Sequence, residues 1–296
     1  MRATIRGVFI GLAAAGLCAA GARRAEAACD HVVLAELPVE IEGGPISAAP
    51  MSSGRVDGRS VRILVDTGAD VSTLTPAAIG KLGLPGVYEA KSMDRPNGQV
   101  QVPSFSVGTL TASGLTLKAM GAGAGPNSPD MRLGVDLLLP MYADLDIDLP
   151  HKKVRLIRAD GCTRDQVVYW QGGYAVGDLL DPQYPGIYAE VRVDGMPLKA
   201  RFDSSVYSVL GAEGLRKLRL PAGAAPQFKT FAFSQESIQN PAIPVGELPR
   251  FEQGEPDMVI GLDFMLSHRI YVARSQRKLY VSYVGGRAFA PAPPAP

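Results

Sequence analysis

Residues 63–70, ILVDTGAD, decide how the rest of the chain is interpreted. Their apolar residues predict a buried strand, and this strand leads directly into Asp66, Thr67 and Gly68. A buried carboxylate is costly unless it is paired or needed for chemistry. Because an isolated Asp-Thr-Gly is typical of a turn, a functional interpretation of Asp66 requires a partner elsewhere in the chain.

An internal repeat with an offset of 137 residues predicts that partner. Val-Asp-Gly occurs at 56–58 and again at 193–195, and an aspartate follows eight residues after each glycine, at Asp66 and Asp203. Each copy predicts a hairpin turn at Asp-Gly and then a strand that ends at the aspartate. Asp203 is therefore the candidate partner of Asp66.

The two copies stay parallel further along the chain. Three more pairs of segments match: TPAAIGKLGLP at 75–85 with GAEGLRKLRLP at 211–221, LGVDLL at 133–138 with IGLDFM at 260–265, and HKKVRLI at 151–157 with SQRKLYV at 275–281. Asp136 and Asp263 within the second pair are predicted to begin short helices, because negative charge suits a first helical turn. The repeat indicates that one unit has been duplicated and fused.

Residues 75–83 predict a short helix in the first copy. Thr75 is suited to cap it, Pro76 to occupy its first position and Gly83 to end it. The remaining segments are short, alternating and interrupted by many of the 33 Gly and 24 Pro residues. This pattern favours a mostly β fold with few short helices.

Two neighbouring carboxylates have a specific chemical use. They cannot both ionise at low cost, so one keeps a proton while the other acts as a base. Such a pair can activate a water molecule for attack on a carbonyl and protonate the departing amine. A pseudo-two-fold axis would bring the two strand ends together, which makes Asp66 and Asp203 candidate catalytic residues.

The motifs quoted above resemble those of the retropepsin-like aspartic proteases. That family has apolar residues before Asp-Thr-Gly-Ala and a later apolar-apolar-Gly, here Leu133-Gly134 after Arg132. Residues 133–157 and 260–282 are similar to the Gly-x-Asp-x-Leu helix and final strand of the DNA-damage-inducible retroviral-like proteases. The resemblance implies two β-barrel lobes related by pseudo-two-fold symmetry, with both aspartates on one chain.

The resemblance also implies roles for individual residues. Asp66 matches the catalytic aspartate, and Thr67 and Gly68 match the loop positions that support it. Asp70 matches a position that contacts substrate backbone, although a structural ion pair is an equal alternative. A substrate-covering flap is expected near 95–98, where Asn97 and Gly98 predict a hairpin turn.

The second copy departs from the family pattern after its aspartate. It reads Asp203-Ser204-Ser205, so Ser204 keeps the hydroxyl group whereas Ser205 replaces the glycine. A side chain at Ser205 is expected to crowd the close approach of the backbone. Asp203 is therefore either the second catalytic acid or a remnant that caps a turn.

Charge and composition exclude several classes of partner. The 296 residues carry a formal charge of +1, which gives no basic footprint for nucleic acid or for a membrane surface. His31, His151 and His268 are scattered without metal-ligand spacing, so neither a metal nor a cofactor is expected. Trp170 and the aromatic residues around it are expected to pack a linker between the lobes.

Residues 1–27 are typical of a secretory signal peptide. Arg2 and Arg6 precede an apolar run at 8–20, and Ala25-Glu26-Ala27 suits cleavage, so we expect a periplasmic or secreted protein. Its removal takes away four Arg and one Glu and changes the formal charge from +1 to −2. Cys29 and Cys162 then remain as a candidate disulfide, with two free thiols as the alternative.

These observations predict the organisation of the domains and the function. After the signal peptide we expect a first lobe at 28–162, a linker at 163–184, a second lobe at 185–286 and a disordered tail at 287–296. The expected function is that of a monomeric aspartic endopeptidase acting on peptide or protein substrates. The alternatives are a catalytically impaired binding module and a homodimer that pairs Asp66 with its copy.

Overall fold

A computed structural model describes residues 29–44, 47–87, 98–119, 128–163, 166–181, 185–221, 223, 225–251 and 255–290. The expected signal peptide and Asn97 lie outside these ranges. Within them, no helix is both long and apolar enough to cross a membrane.

The described residues form mostly β structure, with four short helices and one 3-10 turn. In chain order the strands are β1 (Asp30–Pro38), β2 (Glu40–Glu42), β3 (Ala49–Val56), β4 (Arg59–Val65), β5 (Thr73–Leu74), β6 (Gly86–Val87), β7 (Gly98–Val107), β8 (Leu110–Ala119), β9 (Met131–Leu133), β10 (Asp144–Asp148), β11 (Lys153–Asp160), β12 (Ala175–Leu180), β13 (Tyr188–Val193), β14 (Met196–Phe202), β15 (Val209–Leu210), β16 (Thr230–Phe233), β17 (Glu236–Gln239), β18 (Met258–Ile260), β19 (His268–Ala273) and β20 (Lys278–Tyr283). The helices are α1 (Pro76–Leu82), α2 (Val135–Leu138), α3 (Ala212–Lys217) and α4 (Leu262–Met265), and the 3-10 turn is Leu149–His151.

The first half of the chain folds into a closed barrel. Its strand order is β3-β4-β9-β5-β8-β7, and pairing of β7 with β3 closes it. Ile63 and Val65 alternate inward along β4 and are at most 1% exposed, as a strand with one buried face requires. This barrel fixes the end of β4, which is where Asp66 follows.

The second half repeats much of this arrangement in an open sheet. Strands β13, β14, β18 and β15 lie side by side, with β16 on β13 and β17 on β16. In both halves the strand that ends before the aspartate pairs in parallel with the strand that precedes a glycine, β4 with β9 and β14 with β18. The expectation of a mostly β, two-lobed fold is therefore confirmed.

A six-stranded antiparallel arrangement joins the two halves. Its order is β1-β11-β10-β19-β20-β12, and the halves meet where β10 pairs with β19 over three residue pairs. Asp146 on β10 is fully buried there and lies 3.0 Å from a guanidinium nitrogen of Arg155 and 2.7 Å from one of Arg269. The Arg269 guanidinium lies 4.1 Å from the Trp170 ring centroid, so Trp170 packs at the junction of the halves.

The local turns and the first helix confirm the sequence-based expectations. Asp57-Gly58 and Asp194-Gly195 turn their hairpins with positive φ at all four residues, as such two-residue turns require. In α1 the Thr75 hydroxyl oxygen accepts a hydrogen bond from the Ala78 N–H at 3.1 Å, and Gly83 ends the helix in the left-handed region.

Two predicted boundary segments contain ordered structure. The expected linker at 163–184 includes β12, which pairs with both β20 and β13. The tail expected to be disordered from residue 287 includes Phe289, which is 3% exposed and packs against the rings of Phe231 and Phe264. The prediction is wrong for Phe289, because this aromatic ring covers the edge of a hydrophobic cluster. The proposed domain bounds stay a prediction.

Cys29 and Cys162 form a disulfide bond across 133 residues of sequence. It joins the start of β1 to the residues just after β11, at the end of the ladder where Asp30 pairs with Asp160. The bond closes a long loop and limits the freedom of the unfolded chain.

Replacing both cysteines with serine is expected to lower the free energy of unfolding by about 2–4 kcal/mol, because the unfolded chain regains that freedom. Urea unfolding of the mature protein measures the change, and reduced wild-type protein serves as the matched comparison. An unchanged unfolding midpoint in both samples would contradict the prediction.

Candidate active site

Asp66 and Asp203 occupy equivalent positions in the two halves. Asp66 follows β4, which pairs in parallel with β9, and Asp203 follows β14, which pairs in parallel with β18. The Asp66 N–H donates to Leu133 O and the Asp203 N–H donates to Ile260 O, both at 2.9 Å. Each aspartate is 2% exposed. Both strand ends thus bring a buried carboxylate to the junction of the halves, where solvent screening is weak.

Reciprocal hydrogen bonds between the next two residues join the loops. The Thr67 N–H donates to Ser204 Oγ at 3.1 Å, and the Ser204 N–H donates to Thr67 Oγ1 at 2.9 Å. The hydroxyl groups in turn donate across the junction, from Thr67 to Phe202 O at 3.1 Å and from Ser204 to Val65 O at 2.7 Å. Four hydrogen bonds with two-fold symmetry therefore hold the two aspartates in register.

Gly68 makes room for the second carboxylate. A Cβ atom added at Gly68 would lie 1.9 Å from Asp203 Oδ2, so any side chain at this position would displace Asp203. The Gly68 N–H donates to Asp66 Oδ1 at 2.9 Å. At the equivalent position, Ser205 donates to Asp203 Oδ1 through both its N–H at 2.9 Å and its hydroxyl at 2.8 Å. The expected crowding by Ser205 does not turn Asp203 toward solvent, because the hydroxyl group bonds to that carboxylate.

The electrostatic surroundings favour the protonated form of Asp66. Burial of its carboxyl group and, next in size, the charge of Asp203 raise the pKa of Asp66 to about 7. The Arg132 guanidinium acts in the opposite direction. A raised pKa from burial and a second carboxylate is the condition under which one acid of a pair holds a proton.

Arg132 lies beside this pair, and no sequence motif predicts its position there. Its Nε is 3.1 Å from Asp66 Oδ2, and its side chain is 44% exposed. The neighbours Met131 and Leu133 are fully buried, so Arg132 points to the opposite face of β9. The alternation of a strand accounts for this direction, although the identity of its carboxylate partner depends on the pairing of β9 with β4.

A second layer of hydrogen bonds supports each loop. Asp136 Oδ1 accepts from the Ser72 N–H at 2.9 Å and from its hydroxyl at 2.6 Å. Asp263 Oδ1 accepts in the same way from Ser208, at 2.8 and 2.7 Å. Asp136 and Asp263 lie in the first turns of α2 and α4, as expected, and they also position the loops. Sequence reasoning missed Ser72 and Ser208, whose signal is a serine shortly after each aspartate.

The two loops differ by one residue. Ser72 follows Asp66 by six positions whereas Ser208 follows Asp203 by five, and the additional residue of the first loop is Asp70. The Asp70 carboxylate lies 2.5 Å from Nη2 of Arg201, a fully buried residue of β14. The structure therefore shows the ion pair that the sequence left as an alternative, and the role of Asp70 in substrate binding stays a prediction.

Arg201 connects the second half to the loop that carries Asp66. Its guanidinium donates to Gly68 O at 2.8 Å and to the Tyr188 hydroxyl at 2.7 Å, in addition to Asp70. Its Nε is buried without a hydrogen-bond partner in the described part of the chain. Because a buried charge is costly when it is unpaired, each remaining hydrogen bond to the Arg201 guanidinium is needed to offset the cost of burying it.

The two halves differ in the lengths of two equivalent strands. Gly98 is buried and begins β7, a ten-residue strand that pairs with β6 and β8, and the flap turn expected at Asn97 lies outside the described residues. The matching strand β16 has four residues. A cavity of about 490 Å³ beside Asp70 is lined in part by Asp136, Leu179, Gly186 and Arg274.

The described residues include one group with metal-ligand atoms close together. Cys29, His31 and Cys162 lie within 4.8 Å of one another, but the disulfide uses both sulfur atoms. His31 Nε2 is 3.0 Å from Val167 O, a contact that serves packing. The donor set does not fit a metal ion, because a disulfide sulfur is not a thiolate.

Comparisons with known proteins agree with this geometry. Residues 52–137 match the family model described as Aspartyl protease. The aspartic proteinase from Irpex lacteus has a similar structure, with a TM-score of 0.50 and 10% sequence identity over 86% of this chain and 97% of that one. The basic 7S globulin from soybean is similar with a TM-score of 0.52 and 10% identity, over 86% of this chain and 95% of that one. No curated protein sequence gives a significant match.

The two kinds of comparison have different reach. At 10% identity, the two solved structures establish a shared two-lobed fold. The family match adds sequence information, because its residues 52–137 contain the Asp-Thr-Gly loop, β7 and the apolar-apolar-Gly motif. Residues 52–137 are therefore similar in sequence to aspartyl proteases, and the chain shares the two-lobed fold of the two solved structures.

Proposed function

We propose that the chain is an aspartic endopeptidase in which Asp66 and Asp203 activate one water molecule for hydrolysis of a peptide bond. The observation that carries this proposal is the placement of two buried carboxylates, each 2% exposed, on loops joined by reciprocal hydrogen bonds. The raised pKa of Asp66 supports it further, since a site that shares one proton needs one acid that stays protonated.

In the proposed reaction Asp66 holds the proton and Asp203 is the base. Asp203 accepts a proton from water while the water oxygen attacks the carbonyl carbon, and Asp66 donates its proton to the carbonyl oxygen. The C–N bond of the tetrahedral intermediate then breaks as Asp203 gives its proton to the departing amine and Asp66 takes a proton from one hydroxyl group of the intermediate. The products are a carboxylic acid and an amine, and the pair again holds one proton.

Substrate is proposed to bind as an extended segment between the two halves. Main-chain hydrogen bonds to the expected flap would supply affinity, and pockets alongside would select side chains. Gly98 and Asp70 are candidate backbone contacts, and the cavity beside Asp70 is a candidate side-chain pocket.

The rate of hydrolysis of a generic peptide is expected to be higher in acid than above neutral pH. Because the pKa of Asp66 is raised to about 7, Asp66 is protonated below that pH and loses its proton above it. We expect kcat/KM to fall by about tenfold per pH unit above about pH 7. The measurement is a pH profile with a fluorogenic peptide that has no titrating group in the range.

A peptide containing statine, which resembles the tetrahedral intermediate, is the control for this experiment. It is expected to inhibit the reaction, whereas the same peptide with an ordinary amide is consumed. Activity that persists unchanged from pH 7 to 9, or that statine leaves unaffected, would contradict the proposed mechanism.

A non-catalytic binding module is the second candidate function. Two observations favour it, namely the contact of Arg132 with Asp66 and the presence of Ser205 in place of a glycine. Such a module would bind the statine peptide and its amide counterpart, and it would release the amide counterpart intact.

We further propose that the mature protein acts outside the cytoplasm as a single chain. The signal-like residues at the N-terminus support export, and the Cys29–Cys162 disulfide is suited to an oxidising compartment. Both carboxylates come from one chain, which supports a monomeric active unit over a homodimer.

A further inference from the structure

Arg132 is a charged side chain in direct contact with the proposed reacting pair. The mechanism proposed above gives it no task. Its Nε lies 3.1 Å from Asp66 Oδ2, and almost half of its side chain is exposed. Neither the burial of the two carboxylates nor the proposed reaction requires a cation here. Two carboxylates that share a proton carry a single negative charge, and the loop hydrogen bonds already hold them in place.

The guanidinium of Arg132 is incompletely used. An arginine offers five N–H donors in a planar fork that suits a carboxylate. In the described part of the chain, Asp66 is its one carboxylate neighbour, and that contact is made through Nε. Among the described residues, the two terminal nitrogens have no ion-pair partner, so they can bind an acidic group of a ligand.

The described residues of the second half have no cation at the position equivalent to Arg132. On β9, Arg132 lies opposite Leu64 of β4 and Thr73 of β5. In the second half, the residue of β18 that lies between the equivalent strands β14 and β15 is Val259. Val259 is fully buried and uncharged. The positive charge therefore lies on one side of the aspartate pair, which makes the two sides of the cleft chemically different.

The reacting peptide bond must lie close to this charge. Attack requires the carbonyl carbon and the activated water to lie about 3–3.5 Å apart beside the carboxylates. A guanidinium in contact with Asp66 is therefore within reach of the side chain on one of the two residues that flank the reacting bond. A carboxylate there would form a charge-assisted pair with the terminal nitrogens.

From this placement we infer that Arg132 is a specificity-determining residue that selects peptides with Asp or Glu next to the cleaved bond. The inference rests on the proposed peptidase function and adds the substrate class to it. An acidic side chain would draw the guanidinium away from Asp66. Because Arg132 opposes the rise in the pKa of Asp66, its withdrawal would favour the protonated acid that the reaction needs. A substrate without the carboxylate leaves Arg132 on Asp66.

Matched peptides that differ by Glu or Gln at each flanking position test the inference. The cleavage site is first mapped by mass spectrometry of a peptide library digested with the mature protein. Wild-type protein is expected to cleave the Glu peptide with a kcat/KM about 10- to 100-fold above that of the Gln peptide at one flanking position. Arg132→Leu is expected to bring this ratio near one, and Arg132→Lys to retain part of it.

Arg158→Leu is the matched control, because Arg158 is an exposed arginine in a surface ion pair with Asp160. It is expected to keep the wild-type ratio. Equal cleavage of the Glu and Gln peptides by wild-type protein, or a Glu preference that survives in Arg132→Leu, would overturn the inference. Faster cleavage of both peptides by Arg132→Leu, when wild type shows no preference, would show that Arg132 slows hydrolysis of every substrate. That result would also overturn the inference.

A binding measurement separates this inference from the proposed function. Statine peptides that carry Glu or Gln at the same position are titrated by fluorescence anisotropy. Tighter binding of the Glu form by wild type, lost in Arg132→Leu, supports the role of Arg132 even if no peptide is cleaved. Absence of cleavage by every variant would contradict the peptidase proposal, whereas equal binding of the two forms would contradict the role of Arg132.

Discussion

Asp66→Asn is expected to lower kcat/KM for peptide hydrolysis by about 10²- to 10⁴-fold. The amide cannot release and regain the proton that the proposed reaction needs, although it has nearly the shape of the carboxyl group. Asp203→Asn is expected to have an effect of the same size, because the base is then missing. The double variant is expected to lose little more than either single one, since the two residues act as a unit.

The same variants test whether the loss is chemical or structural. The folded-state pKa of Asp66, about 7, is above its unfolded value, so this group stabilises the fold at low pH and loses that contribution as pH rises through 7. Asp66→Asn removes the cost of burying an ionised carboxylate at pH 8. The urea midpoint of this variant at pH 8 is therefore expected to equal or exceed that of wild type. Asp160→Asn, at an exposed acid, is the matched control and is expected to keep full activity. Full activity in Asp66→Asn would end the case for a catalytic pair.

Arg201→Met is expected to lower the free energy of unfolding by about 3–5 kcal/mol. Removal of the guanidinium leaves the buried Asp70 carboxylate without its ion-pair partner, and it removes the hydrogen bonds from Arg201 to Gly68 O and to the Tyr188 hydroxyl. Methionine fills much of the volume, so the loss measures the charge and the hydrogen bonds. Because these contacts connect β14 to the Asp66 loop, activity is expected to fall as well.

Two comparisons make the Arg201 experiment specific. Arg192→Met removes an exposed arginine of β13 whose partner Glu190 is also exposed, and it is expected to change stability by less than about 1 kcal/mol. Asp70→Asn in the Arg201→Met background is expected to recover part of the loss, since the unpaired charge is then gone. Urea unfolding gives all four values, and an Arg201→Met variant as stable as wild type would contradict the buried ion pair.

The sequence predicted the parts of the fold that depend on local patterns. The Asp-Gly turns, the cap of α1 by Thr75 and the strand before Asp66 each follow from a few neighbouring residues, and all are present. The repeat also predicted which two aspartates would meet, because a duplicated strand end is brought to a shared junction. These features need no knowledge of distant contacts.

Other features depend on which strands become neighbours, and the sequence does not state this. Arg201 occurs in MPLKARF, which looks like an ordinary strand, and its burial follows from its position opposite the Asp66 loop. Asp146 is fully buried for a similar reason, because β10 and β19 bring Arg269 to it. The Ala and Pro residues around Phe289 predict a flexible tail, whereas the Phe289 ring packs against Phe231 and Phe264, which are distant in sequence.

The unequal strands β7 and β16 have a consequence for how a peptide would enter. A symmetric cleft reads a peptide equally well in either direction, because rotation by half a turn restores the same contacts. Here the first half has a ten-residue strand where the second half has a four-residue one. A peptide bound between the halves would meet different main-chain partners in its two orientations. One N-to-C direction of the peptide is therefore expected to bind more tightly than the other.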